Sequence, residues 1–157
     1  MEVCFVIENT LAMKEHVSTV KGYVAGICRF AKASYSEVSF RLVLFSNYSS
    51  SNISAVQRYA TTTDTSILLS TIERKLQCLG GSLQNNALLE GLMSAYEALE
   101  ANVIAQKYCV VLTNSAPIQK PPRFCSVNDL GNFDISNVPK IFESVRTMMC
   151  QNRKIYH

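Results

Sequence analysis

The sequence predicts an α/β fold, a mostly parallel sheet flanked by helices on both faces. Three observations carry that expectation. Continuous apolar runs of strand length stand at residues 3–7, 40–45 and 108–113. The stretches between them repeat apolar residues every three or four positions. The three runs also lack the strict polar–apolar alternation of a strand with one wet face. They therefore suit strands covered on both sides, as in a parallel sheet.

Taken in order, Val-Cys-Phe-Val-Ile at 3–7 is the first strand. It is too short for the apolar region of a signal peptide and lacks the basic residues that would precede one. Met13, Val17, Val20, Val24, Ile27 and Ala31 then fall on one face of a helix. Residues 40–45, Phe-Arg-Leu-Val-Leu-Phe, form the second strand. The polar connection 46–54 contains Asn47-Tyr-Ser and Asn52-Ile-Ser, which match the glycosylation acceptor pattern. In a turn rich in Ser and Asn, with no secretory signal legible, these are read as coincidence. Residues 55–60 alternate weakly and suit a sheet edge.

Ile67 or Leu68, Ile72 and Leu76 form a second helical stripe, opened by the cap-type residues 63–65. Leu88, Leu92, Tyr96 and Leu99 form a third, entered from Asn85-Asn86 as caps. Within it Gly91 would let the helix approach the sheet closely. Tyr-Cys-Val-Val-Leu-Thr at 108–113 is a further strand, placed inside the sheet. A long loop with Pro117, Pro121 and Pro122 follows. The spacing predicts a last helix over 139–150, with Ile141, Phe142, Val145 and Met149 inward and Pro139 in its first turn. Residues 151–157 begin what reads as another strand and stop, so the C-terminal part is expected to be truncated. No repeat or linker divides the chain, and residues 1–157 read as a single domain.

Composition narrows the function. With 48% apolar and 17% charged residues the chain is globular in type. Its net charge of +3 comes from scattered basic residues, so no stripe suited to direct nucleic-acid contact appears. No segment is long and apolar enough to span a membrane. The six cysteines are widely spaced, with no Cys-x-x-Cys and no zinc pattern, and are expected to be free thiols. Ser82 and Ser115 are hydroxyl candidates for nucleophilic chemistry, but neither sits in Gly-x-Ser-x-Gly. His16 lies on the first helix with no evident acid to orient it. Gly80-Gly81 lacks the glycine and lysine pattern of a phosphate cradle. The chain is therefore expected not to be an enzyme.

Ligands of open α/β sheets sit beyond the carboxyl ends of the strands. Three segments meet there: Ile-Glu-Asn-Thr-Leu-Ala at 7–12, Leu-Gly-Gly-Ser-Leu-Gln-Asn-Asn from 79, and Val-Leu-Thr-Asn-Ser-Ala-Pro from 111. At these points the chain resembles the von Willebrand factor A family, a Rossmann-type fold. That resemblance implies a Mg²⁺ or Mn²⁺ site built from an Asp-x-Ser-x-Ser segment, a loop Thr and a further Asp. Matched residue by residue, Glu8 stands for the first Asp and Thr10 for the first Ser. Ala12 replaces the second Ser, Ser82 the loop Thr, and Asn114 the last Asp. One carboxylate and one hydroxyl are lost. The site Glu8, Thr10, Ser82 and Asn114 is thus degenerate and expected to be empty, with weak Mg²⁺ binding at most and no other cofactor.

Phe-Val-Ile-Glu-Asn-Thr, Leu-Val-Leu-Phe, Leu-Glu-Gly-Leu and Thr-Asn-Ser-Ala-Pro, in this order, are similar to the Mediator subunit 25 branch of that family. The likeness spans roughly residues 3–116. It implies a nuclear, non-catalytic domain of a transcription coactivator whose partners are other Mediator subunits or transcription factors. The alternative is a metal-dependent adhesion-type module. A flavodoxin-like cofactor binder would need the phosphate loop that is missing here. For a docking domain without metal, the Pro-rich loop supplies anchors, with Ile118 and Phe124 as apolar contacts and Arg123 at the rim.

Overall fold

A computed structural model of the chain describes residues 1–48, 55–79, 86–100, 106–115 and 146–150. Five strands form one sheet: β1 (Glu2–Glu8), β2 (Ser39–Phe45), β3 (Val56–Arg58), β4 (Lys107–Leu112) and β5 (Arg146–Cys150). The spatial order is β3-β2-β1-β4-β5, so the first strand of the chain is the middle of the sheet. β1 pairs in parallel with β2 from Glu2↔Ser39 to Glu8↔Phe45, and with β4 from Glu2↔Lys107 to Ile7↔Leu112. Among the described strands only β3 runs antiparallel, at the edge beside β2. It is the short edge strand expected from the weak alternation at 55–60.

The apolar runs divide between two cores, as strand geometry requires, because successive side chains point to opposite faces. Val3, Phe5 and Ile7 of β1 join Phe40, Leu42 and Leu44 of β2 and Val110 and Leu112 of β4 on one face. Cys4, Val6, Val43, Phe45, Cys109 and Val111 form the other. Each large apolar side chain buried this way contributes about 1.5–3 kcal/mol. The first face is covered by α1 (Val17–Ser34) and α2 (Thr65–Lys75), the second by α3 (Leu88–Glu100).

The helices bury the stripes read from the sequence. α1 turns Val20, Val24, Cys28 and Ala31 inward, after a 3-10 helix over Leu11–His16 that buries Met13. α2 buries Leu68 and Ile72, while Ile67 is exposed, which decides between the two alternatives for that stripe. Its cap is Asp64, whose carboxylate accepts from the Ser66 backbone N–H at 2.7 Å. Arg74 and Lys75 occupy its last turn, where the helix dipole favours cations. α3 is entered through Asn86, whose Oδ1 accepts from the Leu88 N–H at 3.3 Å. A Cβ added at Gly91 would stand 3.2 Å from the Cβ of Phe45, so glycine is what lets this helix lie against β2.

The C-terminal expectation needs correction. Residues 146–150, read as the end of a helix, form β5, parallel to β4 from Tyr108↔Arg146 to Leu112↔Cys150. The free side of β4 offers a row of backbone donors and acceptors, and pairing there satisfies the segment's own polar backbone. A four-residue spacing of apolar positions over so short a run is weak evidence against that. The remainder of the predicted helix lies outside the described residues.

Cys4, Cys28, Cys78 and Cys109 are buried free thiols. Burial pushes Cys28 up to about 11 and Cys109 up to about 12, so all but a trace of either stays protonated at neutral pH. Among the described residues no helix is long and apolar enough to cross a membrane.

Candidate functional site

The parallel register brings the end of β1 beside the end of β4, so Glu8 comes to lie next to the Thr113-Asn114-Ser115 turn. Glu8 is fully buried, and Thr10, Thr113 and Ser115 are buried with it. Both oxygens of its carboxylate are taken up by the protein itself. Thr10 Oγ1 and Ser115 Oγ each donate to Glu8 Oε1 at 2.5 Å. On Oε2, Thr113 Oγ1 donates at 2.6 Å, the Asn114 backbone N–H at 2.8 Å and the Ser115 backbone N–H at 3.1 Å. The Thr113 hydroxyl also lies 3.1 Å from the Ser115 carbonyl, but its single proton goes to the nearer, charged acceptor.

Burial by itself would raise the Glu8 pKa. Hydrogen bonds from Ser115, Thr10 and Thr113 and from the Asn114 backbone outweigh it and hold the carboxyl below its usual range. Glu8 is therefore a buried anion compensated by neutral donors. Such charge-assisted bonds are each worth about 1.5–3 kcal/mol, twice or more an ordinary one.

The surrounding residues hold this arrangement. The Asn114 side-chain Nδ2 donates to the Ala12 carbonyl at 3.0 Å, tying the loop after β4 to the 3-10 helix after β1. Asn9 works on the other side. Its backbone N–H donates to the Phe45 carbonyl at 2.7 Å, its Nδ2 to the Lys75 carbonyl at 3.2 Å, and its Oδ1 accepts from the Cys78 N–H at 2.8 Å. Cys78 itself has φ 51°, a left-handed conformation that costs a non-glycine residue about 1 kcal/mol. The Asn9 bonds help to hold it there. Two leucines flank these polar ties in the chain: Leu11 is 55% exposed and Leu79 is 72% exposed.

Of the residues marked in the sequence, Glu8, Thr10 and Asn114 come together. Ser82, Ile118, Arg123 and Phe124 lie outside the described residues. Ser115, weighed as a nucleophile, spends its hydroxyl proton on Glu8. A carboxylate whose pKa is lowered is a weak base for activating it. Thr113 and the backbone of residues 114–115 are partners the sequence reading missed. The signal was present in the register: with Ile7 opposite Leu112, the next residue on each strand is Glu8 and Thr113. Among the described residues no three His, Cys, Asp or Glu side chains converge.

Comparison with known proteins places this geometry. Residues 1–149 match the model of the family described as Mediator complex subunit 25 von Willebrand factor type A. No curated protein matches the chain in sequence. Among solved structures, the pilus adhesin SpaC from Lactobacillus rhamnosus GG is similar with a TM-score of 0.57 and 16% identity. That likeness covers 74% of this chain and 16% of the adhesin. The type V pili tip protein Mfa5 from Porphyromonas gingivalis gives 0.54 and 19%, covering 82% of this chain and 22% of its own. Proximal thread matrix protein 1 from the mussel byssus gives 0.60 and 13%, covering 96% and 35%. At these identities the likeness is one of fold, and the chain spans well under half the length of each.

Proposed function

Because the chain belongs to the Mediator complex subunit 25 von Willebrand factor type A family, we propose that it works as a non-catalytic docking domain. It seats its subunit of the coactivator on other Mediator subunits, in the nucleus, in the service of RNA polymerase II transcription. The observation that carries this is the contrast at the strand ends. The acid that could do chemistry is sealed by five protein donors, while Leu11 and Leu79 beside it are exposed. A face of that kind binds by packing, with a few apolar anchors supplying most of the energy. Ile118 and Phe124, with Arg123 at the rim, form the second set of proposed anchors.

The test compares Mediator subunits co-purifying from nuclear extract with the intact subunit, its Leu11→Asp/Leu79→Asp variant and its Phe124→Ala variant. At least one variant should lose about tenfold or more of the captured complex, as loss of a central anchor does, with its thermal melting unchanged. Full capture by both would refute docking through these anchors. Loss of capture together with loss of folding in Phe124→Ala would make Phe124 a core residue.

A further inference from the structure

We propose that Glu8 takes the place of the divalent cation that the fold family implies at these strand ends, acting as a built-in cross-link that closes the site to metal. The reason lies in polarity. A cation site gathers oxygen lone pairs around a positive centre. Here a negative centre gathers hydrogens: three hydroxyl protons and two backbone N–H groups point at one carboxylate. A carboxylate has about four lone-pair positions, so five donors fill it. To ligate an ion, Glu8 would have to shed several of them. The hydroxyls of Thr10 and Ser115 could turn, but the N–H groups of Asn114 and Ser115 are fixed by the backbone.

The other positions agree. Ala12 has no hydroxyl to offer, and its carbonyl is occupied by the Asn114 side-chain amide, which stands where the resemblance implies a second carboxylate. Two of the three segments that a cation would join, after β1 and after β4, are already joined through Glu8; the third, with Ser82, lies outside the described residues. The length of glutamate matters: its carboxylate spans from the end of β1 to three successive residues beyond β4. Partner binding at this face therefore needs neither a cation nor an acidic group to complete its coordination.

The experiment follows thermal unfolding of the whole chain in millimolar Mg²⁺, in millimolar Mn²⁺ and in EDTA, for the wild type and for Glu8→Gln, Thr113→Val and Ser115→Ala. The wild-type Tm should stay constant across the three conditions. Glu8→Gln keeps the shape but sets an amide N–H₂ against the same donors, and should lower the Tm by about 5 °C or more. Thr113→Val and Ser115→Ala should each lower it by about 2–4 °C. Should Glu8→Gln fail to fold, these two variants decide. A wild-type Tm raised several degrees by Mg²⁺ or Mn²⁺ would overturn the proposal, as would hydroxyl variants that melt with the wild type. Retention of co-purified Mediator subunits in EDTA is the matching result for the assembled complex, and their release would count against it.

Discussion

β1 carries a buried glutamate at each end, and the fold compensates the two charges differently. Glu2, at the amino end, pairs with the guanidinium of Arg41 on the neighbouring strand. Glu8, at the carboxyl end, is held by hydroxyls and backbone N–H groups that carry no net charge. The Arg41 side chain keeps 22% of its surface exposed, so water also reaches that pair. The difference shows what each end does for the molecule. An ion pair between two strands staples two side chains. A carboxylate shared among donors on two loops fixes backbone as well, at the end of the sheet where ligands of such folds sit.

The largest expected effect tests that distinction directly. Glu8→Ala takes the shared acceptor from five donors, of which only the Thr113 hydroxyl and the Ser115 N–H have another within reach, and should cost about 3 kcal/mol or more, read as a lower midpoint in urea unfolding. Arg41→Ala removes the guanidinium beside Glu2 but lets in water, and should cost about 2 kcal/mol. The comparison sharpens when both members are replaced. Glu2→Met with Arg41→Met should recover most of the Arg41→Ala loss, because a packed apolar pair substitutes well for a buried ion pair. Glu8→Met with Thr113→Val should recover little, since the N–H groups of Asn114 and Ser115 stay unpaired. Equal recovery at the two ends in the same urea titrations would erase the contrast.

Smaller effects come from glycines. Gly91→Ala would press on Phe45, the β2 residue in register with Glu8, from 3.2 Å. Phe45 is wholly buried and has nowhere to move. The strain should exceed the helix propensity gained, for a net loss of about 1 kcal/mol by thermal melting. Gly22 and Gly26 of α1 have nothing within 4 Å of an added Cβ. Alanine there should stabilise by roughly 0.5–1 kcal/mol each. A stabilising Gly91→Ala would mean that α3 can shift away from the carboxyl end of the sheet.

Much of this molecule was legible in its residues. The apolar runs at 3–7 and 40–45 are legible as β1 and β2 because they have strand length, carry Val, Ile and Phe, and suit a strand covered on both faces. The stripes through Val24, Ile72 and Leu92 gave the three helices and their buried faces. The strand at 146–150 was not legible, because the choice there is made by the free side of β4 and not by local spacing. At the candidate site, Glu8, Thr10 and Asn114 could be found by resemblance. The closure around Glu8 could not, since Thr113 lies 105 positions away and its hydroxyl counts only once β1 and β4 are side by side. Hydroxyl-bearing residues at a strand end carry no mark of their own in a sequence. They become informative when the register sets an acid opposite them.

The central strand precedes both of its neighbours in the chain, and this sets the timetable for the chain leaving the ribosome. β1 can pair with β2 as soon as residues 39–45 appear, but its other edge waits for residues 107–112. At synthesis rates of roughly 5–20 residues per second that wait lasts on the order of several seconds. Throughout it, one side of an apolar strand has no partner from its own sheet. The bonds that Thr113, Asn114 and Ser115 give to Glu8 form only when β4 arrives, so they latch the middle of the sheet while the outer side of β4 still waits for β5.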